Sequence, residues 1–115
     1  MNNELAYNTS KAAFQQGQFQ RSASFSKKIL DSNVSDETKI IMRANYFFSN
    51  LLYTQVDLNI NEARNISSLL LGIQNKKLRA TSFNTFITNI CLYEISKKKF
   101  ESALKIIEKL ILNGR

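Results

Sequence analysis

One pattern of residue types occurs twice in this chain, 81 residues apart. The first copy begins at Gly17 and ends at Leu30, and the second runs from Lys98 to Ile111. Each copy has a short turn, an aromatic residue, a small residue three positions later and an aliphatic pair one to two turns further on. This order is typical of a helical hairpin whose second helix packs closely on its first. A chain that repeats it is expected to stack such hairpins into an elongated all-helical protein.

Helix boundaries are marked by capping residues, because the chain has no proline and only three glycines. Ser35 precedes two acidic residues that suit the positive end of a helix, and Asn59 and Glu62 have the spacing of a capping box. The predicted helices cover about 3–16, 19–31, 36–55, 60–73, 76 or 82–96, and 100–112. The prediction is a single domain over 1–115, with antiparallel hairpins at about 3–33, 35–74 and 75–113.

The spacing of apolar residues predicts which face of each helix is buried. On the first helix the expected inner face includes Leu5, Ala6, Ala12 and Ala13. On the fifth and sixth helices the stripe is regular, and its predicted inward residues are Phe83, Phe86, Ile87, Ile90, Cys91, Ile95, Phe100, Ala103, Leu104, Ile107, Leu110 and Ile111.

Two apolar residues, Ile106 and Leu112, lie towards the edges of the sixth stripe, and the chain stops at Arg115 without an extra capping helix. Stacked hairpins need polar end faces. The sequence therefore leaves two alternatives: a dimer partner covers these residues, or the chain is one part of a longer solenoid.

The hairpins resemble tetratricopeptide repeats. In the first hairpin the resemblance rests on Ser10, Ala13, Phe14, Gly17, Phe19, Ser22, Ile29 and Leu30. In the third it rests on Ile90, Cys91, Phe100, Ala103, Leu104, Leu110 and Ile111, with Lys98 where glycine is common. The middle hairpin matches through Ala63, Leu70 and Leu71. The resemblance implies an α-solenoid, a right-handed superhelix of stacked hairpins.

The repeat spacing departs from that family. Ser22 and Ala63 are 41 residues apart, and Ala63 and Ala103 are 40 apart, whereas the standard repeat has about 34 residues. A non-repeat bundle of six helices is the alternative architecture.

The composition argues against catalysis and against metal or cofactor binding. Histidine is absent, the nine carboxylates are scattered, and no glycine-rich phosphate loop is present. Cys91 is the only cysteine, so it can form neither an internal disulfide nor a structural zinc site, and it is expected to be a small core residue. We expect a non-enzymatic protein without a cofactor. The start of the chain lacks signal-peptide character and no apolar run is long enough to span a membrane, which favours a cytoplasmic location.

In tetratricopeptide proteins the first helix of each hairpin lines a concave groove that binds peptides. The resemblance therefore directs attention to polar residues on those helices. An asparagine amide both donates and accepts, so it can pair with the backbone of an extended peptide. The predicted partner-binding residues are Asn8, Lys11, Asn45, Asn50 and Asn89. Free use of asparagine throughout the chain is the competing explanation.

Sixteen Lys and Arg against nine Asp and Glu give a net charge of +7. Most basic residues fit solvated helix faces, but two groups near opposite ends of the fifth helix are dense enough to form a basic patch. They are Lys76, Lys77 and Arg79, and Lys97, Lys98 and Lys99.

Together these observations predict a protein–protein interaction module, an adaptor or chaperone that binds a peptide or helical segment of a partner. A homodimer or a larger complex is compatible with that role. The alternatives are a basic helical protein that binds nucleic acid and a small inhibitor or immunity-type protein.

Overall fold

The computed structural model describes residues 3–108, with side chains from Leu5 onward. These residues form six α-helices and no strand, which confirms the predicted all-α class. The helices are α1 (Asn3–Gln15), α2 (Phe19–Leu30), α3 (Asp36–Thr54), α4 (Ile60–Leu71), α5 (Lys76–Ser96) and α6 (Phe100–Ile106). None of the helices in this range is both long and apolar enough to cross a membrane. The predicted extension of the last helix to Leu112, with Leu110 and Ile111, lies outside the described residues.

Three helices begin at a side-chain cap. The Ser35 hydroxyl accepts a hydrogen bond from the Thr38 amide at 3.3 Å, and the Asn59 side chain accepts one from the Glu62 amide at 3.1 Å. Each bond satisfies an amide that has no partner within the helix. Asn75 caps α5 in the same way by accepting from the Leu78 amide at 3.0 Å. The predicted starts of α3 and α4 agree with the structure, and of the two alternatives for α5 the structure has the start at Lys76.

The chain divides into two compact units, Met1–Val56 and Asp57–Arg115. In the first unit α2 packs against both α1 and α3, and in the second α5 packs against both α4 and α6. The boundary between the units falls inside the second predicted hairpin. The stacking of three hairpins and its tetratricopeptide-like superhelix stay predictions.

The first unit has an apolar layer at each end of its helices. At one end Ala6, Ile29 and Met42 are buried together, with Phe25 and Ile41 packed against them. At the other end the Phe14 ring lies 5.5 Å from the Phe19 ring and 5.8 Å from the Phe48 ring, measured between centroids. All three helices contribute to both layers.

Between these two layers lies a polar layer, formed by four buried serines and the half-buried Asn45; the serines are Ser10, Ser22, Ser26 and Ser49. The Asn45 amide nitrogen donates to the hydroxyls of Ser10 at 2.9 Å, Ser22 at 3.3 Å and Ser26 at 2.5 Å. The Ser22 hydroxyl donates to the Ser10 carbonyl at 2.9 Å, and the Ser26 hydroxyl donates to the Ser22 carbonyl at 2.9 Å. One side chain of α3 is thereby bonded to both α1 and α2.

The buried face of α1 differs from the predicted one. Leu5 is 52% exposed and Ala12 is also exposed, whereas Ala6, Ser10 and Ala13 are buried. The buried positions are four and three residues apart, which is the spacing of one helix face. Ser10 lies on this face although it is polar, because its hydroxyl is hydrogen-bonded to the Ser22 carbonyl and the Ser26 hydroxyl.

The core of the second unit includes residues of α4 and the part of the α5 stripe that follows the prediction. On α4, Ala63, Ile66 and Leu70 are fully buried. On α5 the buried residues of the stripe are Phe83, Phe86, Ile87 and Ile90. Cys91 and Ile95, near the α5–α6 turn, are less buried than the prediction for α5 requires.

The two copies of the repeated segment have the same turn. After α1, the amides of Gly17 and Gln18 donate to the carbonyls of Phe14 and Ala13, at 3.1 and 2.8 Å. After α5, those of Lys98 and Lys99 donate to the carbonyls of Ile95 and Glu94, both at 2.9 Å. Both turns are Schellman motifs, which end many helices, so a shared turn does not by itself establish a repeat. Gly17 has φ +77° and Lys98 has φ +60°, so Lys98 holds the left-handed conformation that favours glycine.

We predict that Lys98→Gly raises the free energy of unfolding by about 1 kcal/mol, because it removes the cost of a side chain in the left-handed region. Gly17→Ala should lower it by a similar amount. A Cβ at Gly17 would meet no atom within 4 Å, so the backbone conformation alone sets that cost. Urea unfolding followed by circular dichroism measures both changes. A Lys98→Gly variant that is less stable than the parent would contradict the assignment.

The polar layer gives a second prediction. Asn45→Ala should destabilise the protein by about 1–3 kcal/mol, because the cluster of buried serine hydroxyls loses the two N–H donors of the amide. Asn50→Ala is the matched control on the same helix: Asn50 is exposed, so its removal should change stability by less than about 0.5 kcal/mol. Equal effects of the two substitutions in urea unfolding would show that the polar layer contributes nothing specific.

Candidate interaction surfaces

The sixth helix presents an apolar stripe to solvent. Phe100 is 60% exposed, Leu104 is 61% exposed and Ile107 is 38% exposed. Phe100 and Leu104 lie on α6 at i and i+4. Ile107, the residue directly after α6, keeps a helical backbone conformation and falls at i+7, so the three residues share one face. We refer to Phe100, Leu104 and Ile107 as the α6 stripe. The prediction that they point inward is wrong.

α6 buries the neighbouring face instead. Ala103 is buried and Ile106 is only 1% exposed, so Ile106 is a core residue and not an edge residue as predicted. Both faces of α6 are apolar, so periodicity could not choose between them. The small Ala103 side chain allows α6 to approach its neighbour closely, which favours burial of that face.

The end of α5 adds two exposed apolar residues. Leu92 and Ile95 are 57% and 43% exposed, so Ile95 also departs from its predicted inward position. Among the described residues, five of the nine exposed large hydrophobic side chains lie between positions 92 and 107. Exposed apolar residues scattered singly are ordinary, but a concentration of them is typical of a surface that binds something.

A buried acidic residue lies beside this surface. Glu94 is 2% exposed, and its Oε1 atom has no hydrogen-bond partner among the described residues. Burial, followed by the nearby Glu94 carboxylate, raises the pKa of both the Cys91 thiol and the Tyr93 hydroxyl. Cys91 itself is half-buried, so it is less enclosed than the predicted core residue. Sequence reasoning missed Glu94, because a charged residue is ordinarily expected at the surface.

The three lysines of the α5–α6 turn have defined positions. Lys99 Nζ lies 2.8 Å from an Asp57 carboxylate oxygen, and the Lys97 ammonium lies 5.4 Å from the centre of the Tyr93 ring. The hydrogen bond from Lys99 and its positive charge lower the pKa of the Asp57 carboxyl, and the bond to Asp57 raises the pKa of Lys99. Lys98 is exposed at the turn itself.

The other predicted basic group lies at the start of α5. Lys76 and Lys77 are exposed, while an Arg79 guanidinium nitrogen donates to the Ile73 carbonyl at 3.1 Å and so helps to satisfy the end of α4. The two groups are separated by the whole of α5, whose length is about 30 Å. They do not form one patch along this helix.

The predicted asparagine set is divided between the units. Asn8, Lys11 and Asn50 are exposed in the first unit, and the Lys11 ammonium lies 5.2 Å from the centre of the Tyr7 ring. Asn45 is half-buried and its amide nitrogen is engaged by the three serines. Asn89 is half-buried in the second unit. The assignment of these residues to a peptide groove stays a prediction.

A shallow depression of about 430 Å³ lies over the first copy of the repeated turn. Its lining residues come from the α1–α2 turn and the end of α3, and they are Gly17, Gln18, Phe19, Gln20, Arg21, Leu52 and Tyr53. The Arg21 guanidinium also lies 5.6 Å from the centre of the Phe25 ring. The depression is open to solvent and combines apolar and amide groups with one positive charge.

Within residues 3–108 no cluster of three or more Cys, Asp or Glu side chains has a geometry suited to a metal ion. Comparison of the chain with models of protein families, with curated proteins and with solved structures finds no match. The surfaces themselves are therefore the basis for assigning a function.

The Asp57–Lys99 pair gives a prediction about pH. Because the pKa of Asp57 is lowered in the folded protein, its contribution to stability is present above the ordinary value of 3.8 and is lost as the pH falls through the lower folded value. Because the pKa of Lys99 is raised, its contribution is present below 10.5 and is lost as the pH rises through the higher folded value. Between these limits the contribution of the pair to stability should be nearly independent of pH.

NMR titration of the Asp57 carboxyl carbon measures this directly. Lys99→Gln should return the pKa of Asp57 towards 3.8. Lys98→Gln, a neighbouring substitution of the same kind, should leave it lowered. An unchanged pKa in Lys99→Gln would mean that the pair does not form in solution.

The raised pKa of Cys91 predicts low thiol reactivity. At neutral pH Cys91 should react with iodoacetamide more slowly than free cysteine, because burial and the Glu94 charge both disfavour the thiolate. Glu94→Gln removes that charge and should accelerate the reaction, while Glu101→Gln on the exposed side of α6 should not. Reaction of the parent protein at the rate of free cysteine would contradict this assignment.

Proposed function

We propose that this protein is a protein–protein interaction module, and that it binds a partner through the α6 stripe. The observation that carries the proposal is the exposure of Phe100, Leu104 and Ile107 on one face of a helix. Water is a poor environment for such a stripe, and burying it against a partner would contribute about 25 cal/mol for each Å² of apolar surface removed from water.

The shape of the stripe favours a helical partner. From Phe100 to Ile107 it extends about 10 Å along the helix axis, which is two turns. Apolar residues at i, i+4 and i+7 are the usual anchors by which two amphipathic helices pack together. A helical segment of another protein would therefore match the stripe in length and in spacing.

Removal of the stripe tests this role. We predict that the double variant Phe100→Ser, Leu104→Ser binds its partner at least about tenfold more weakly than the parent protein, because it lacks the apolar anchors. It should remain as stable as the parent protein, because both side chains are mostly exposed. Proteins recovered with the tagged parent chain from its own cells would be identified, purified and titrated against both forms by calorimetry.

Leu69→Ser is the matched control, since Leu69 is an exposed leucine on α4 of the same unit. It should leave partner binding unchanged. A partner that binds the double variant as well as the parent would exclude the stripe. If the triple variant Asn8→Ala, Asn50→Ala, Asn89→Ala then lost that partner, the binding site would be the asparagine groove and not the α6 stripe.

Nucleic-acid binding is a second candidate, supported by one local observation. Lys76 and Lys77 are exposed in the first turn of α5, which contains no acidic residue. Positive charge at a helix N-terminus opposes the helix dipole, so helix stability does not explain these two lysines.

Titration of DNA and RNA at several salt concentrations tests this candidate. Each phosphate contact should contribute about 0.9 to the slope of log affinity against log salt on duplex DNA. Lys76→Gln, Lys77→Gln should reduce that slope, whereas Lys27→Gln, Lys28→Gln in the first unit should not. Absence of binding at low salt would exclude this function.

A further inference from the structure

Positive charge is concentrated at one end of the α6 stripe. The second unit carries ten Lys and Arg against five Asp and Glu, so it accounts for +5 of the net charge of +7. Three of these lysines, Lys97, Lys98 and Lys99, immediately precede Phe100. Further along α6 the exposed charged residues are Glu101, Lys105 and Glu108, which nearly balance.

The lysine turn is held in place by the fold. Lys98 and Lys99 donate backbone hydrogen bonds to the last turn of α5 at 2.9 Å each. The Lys97 and Lys99 side chains are further positioned by the Tyr93 ring and the Asp57 carboxylate. Charges that are already positioned lose less conformational entropy when a ligand binds. The Asp57 carboxylate offsets the charge of Lys99, so Lys97 and Lys98 supply the net positive charge of this turn next to the apolar stripe.

We propose that the α6 stripe binds an amphipathic helix whose apolar face ends in acidic residues, with that acidic end over the Lys97–Lys99 turn. This inference rests on the proposed function and adds the chemistry and the direction of the partner. A second copy of this chain fits less well, because its own second unit carries the same +5 charge. An acidic helix complements both the apolar stripe and the charge beside it.

Two synthetic peptides provide the probe. Both are amphipathic helices of about four turns with the same leucine and isoleucine residues at i, i+4 and i+7. One carries a block of glutamates at its N-terminal end, and the other carries lysines there. Binding to the full chain is measured by fluorescence anisotropy at low and at moderate salt.

We expect the acidic peptide to bind about fivefold more tightly than the basic one at low salt, with a smaller difference at higher salt. Lys97→Gln, Lys98→Gln should abolish most of this preference. The control variant Lys76→Gln, Lys77→Gln removes the same amount of charge from the other end of α5. It should keep the preference for the acidic peptide. A spin label at the acidic end of the peptide should broaden the amide signals of Lys97 and Lys98 more than that of Ile107.

Other outcomes overturn the inference and remain distinguishable from failure of the proposed function. Equal binding of both peptides, lost in Phe100→Ser, Leu104→Ser, would show an apolar site without charge selection, and the proposed function would stand. Binding of neither peptide, with a dimer in analytical ultracentrifugation that Leu104→Ser dissociates, would identify a second copy as the occupant. Binding of neither peptide by a monomeric chain would exclude the acidic helix.

Discussion

The amide of Asn45 is the contact on which the arrangement of the first unit depends. Its nitrogen donates to serine hydroxyls on both α1 and α2, at a level where the three helices have only small side chains between them. A buried polar group that loses its partners costs more than an apolar contact that shifts slightly. The serines and the amide must therefore meet at one level, and this sets how α1, α2 and α3 are aligned along their axes.

The sequence predicted the helices well because their starts carry chemistry that acts locally. Ser35 and Asn59 bond to amides three residues away, and Gly17 allows the turn that ends α1. The hydrogen bonds of the polar layer were beyond such reasoning, because residue spacing along one helix does not show which side chains of the other helices it meets. The sequence places Asn45 in a row of groove residues, whereas in the structure its amide nitrogen donates to serine hydroxyls of α1 and α2.

The sixth helix shows a different limit of sequence reasoning. α6 has two adjacent apolar faces, one with Ala103 and Ile106 and the other with Phe100, Leu104 and Ile107. Hydrophobicity alone favours burial of the larger side chains, and the structure buries the smaller face. Close helix packing depends on the size of the residue at the contact, which spacing does not encode. The exposed stripe, which is the candidate site, follows from that choice and could not have been found from periodicity.

Comparison of the two copies of the repeated turn shows which residue types the turn accepts at its left-handed position. Both turns have the same backbone hydrogen bonds, so either glycine or lysine satisfies the connection between the helices. Glycine at the first copy suits the left-handed conformation, whereas lysine at the second costs about 1 kcal/mol there. Folding stability therefore does not account for Lys98. Lys98 lies two residues before an exposed phenylalanine. Binding accounts for this lysine if the turn supplies the positive end of a surface that recognises an acidic amphipathic helix. On that argument the second copy of the segment, and not the first, carries the binding chemistry of the chain.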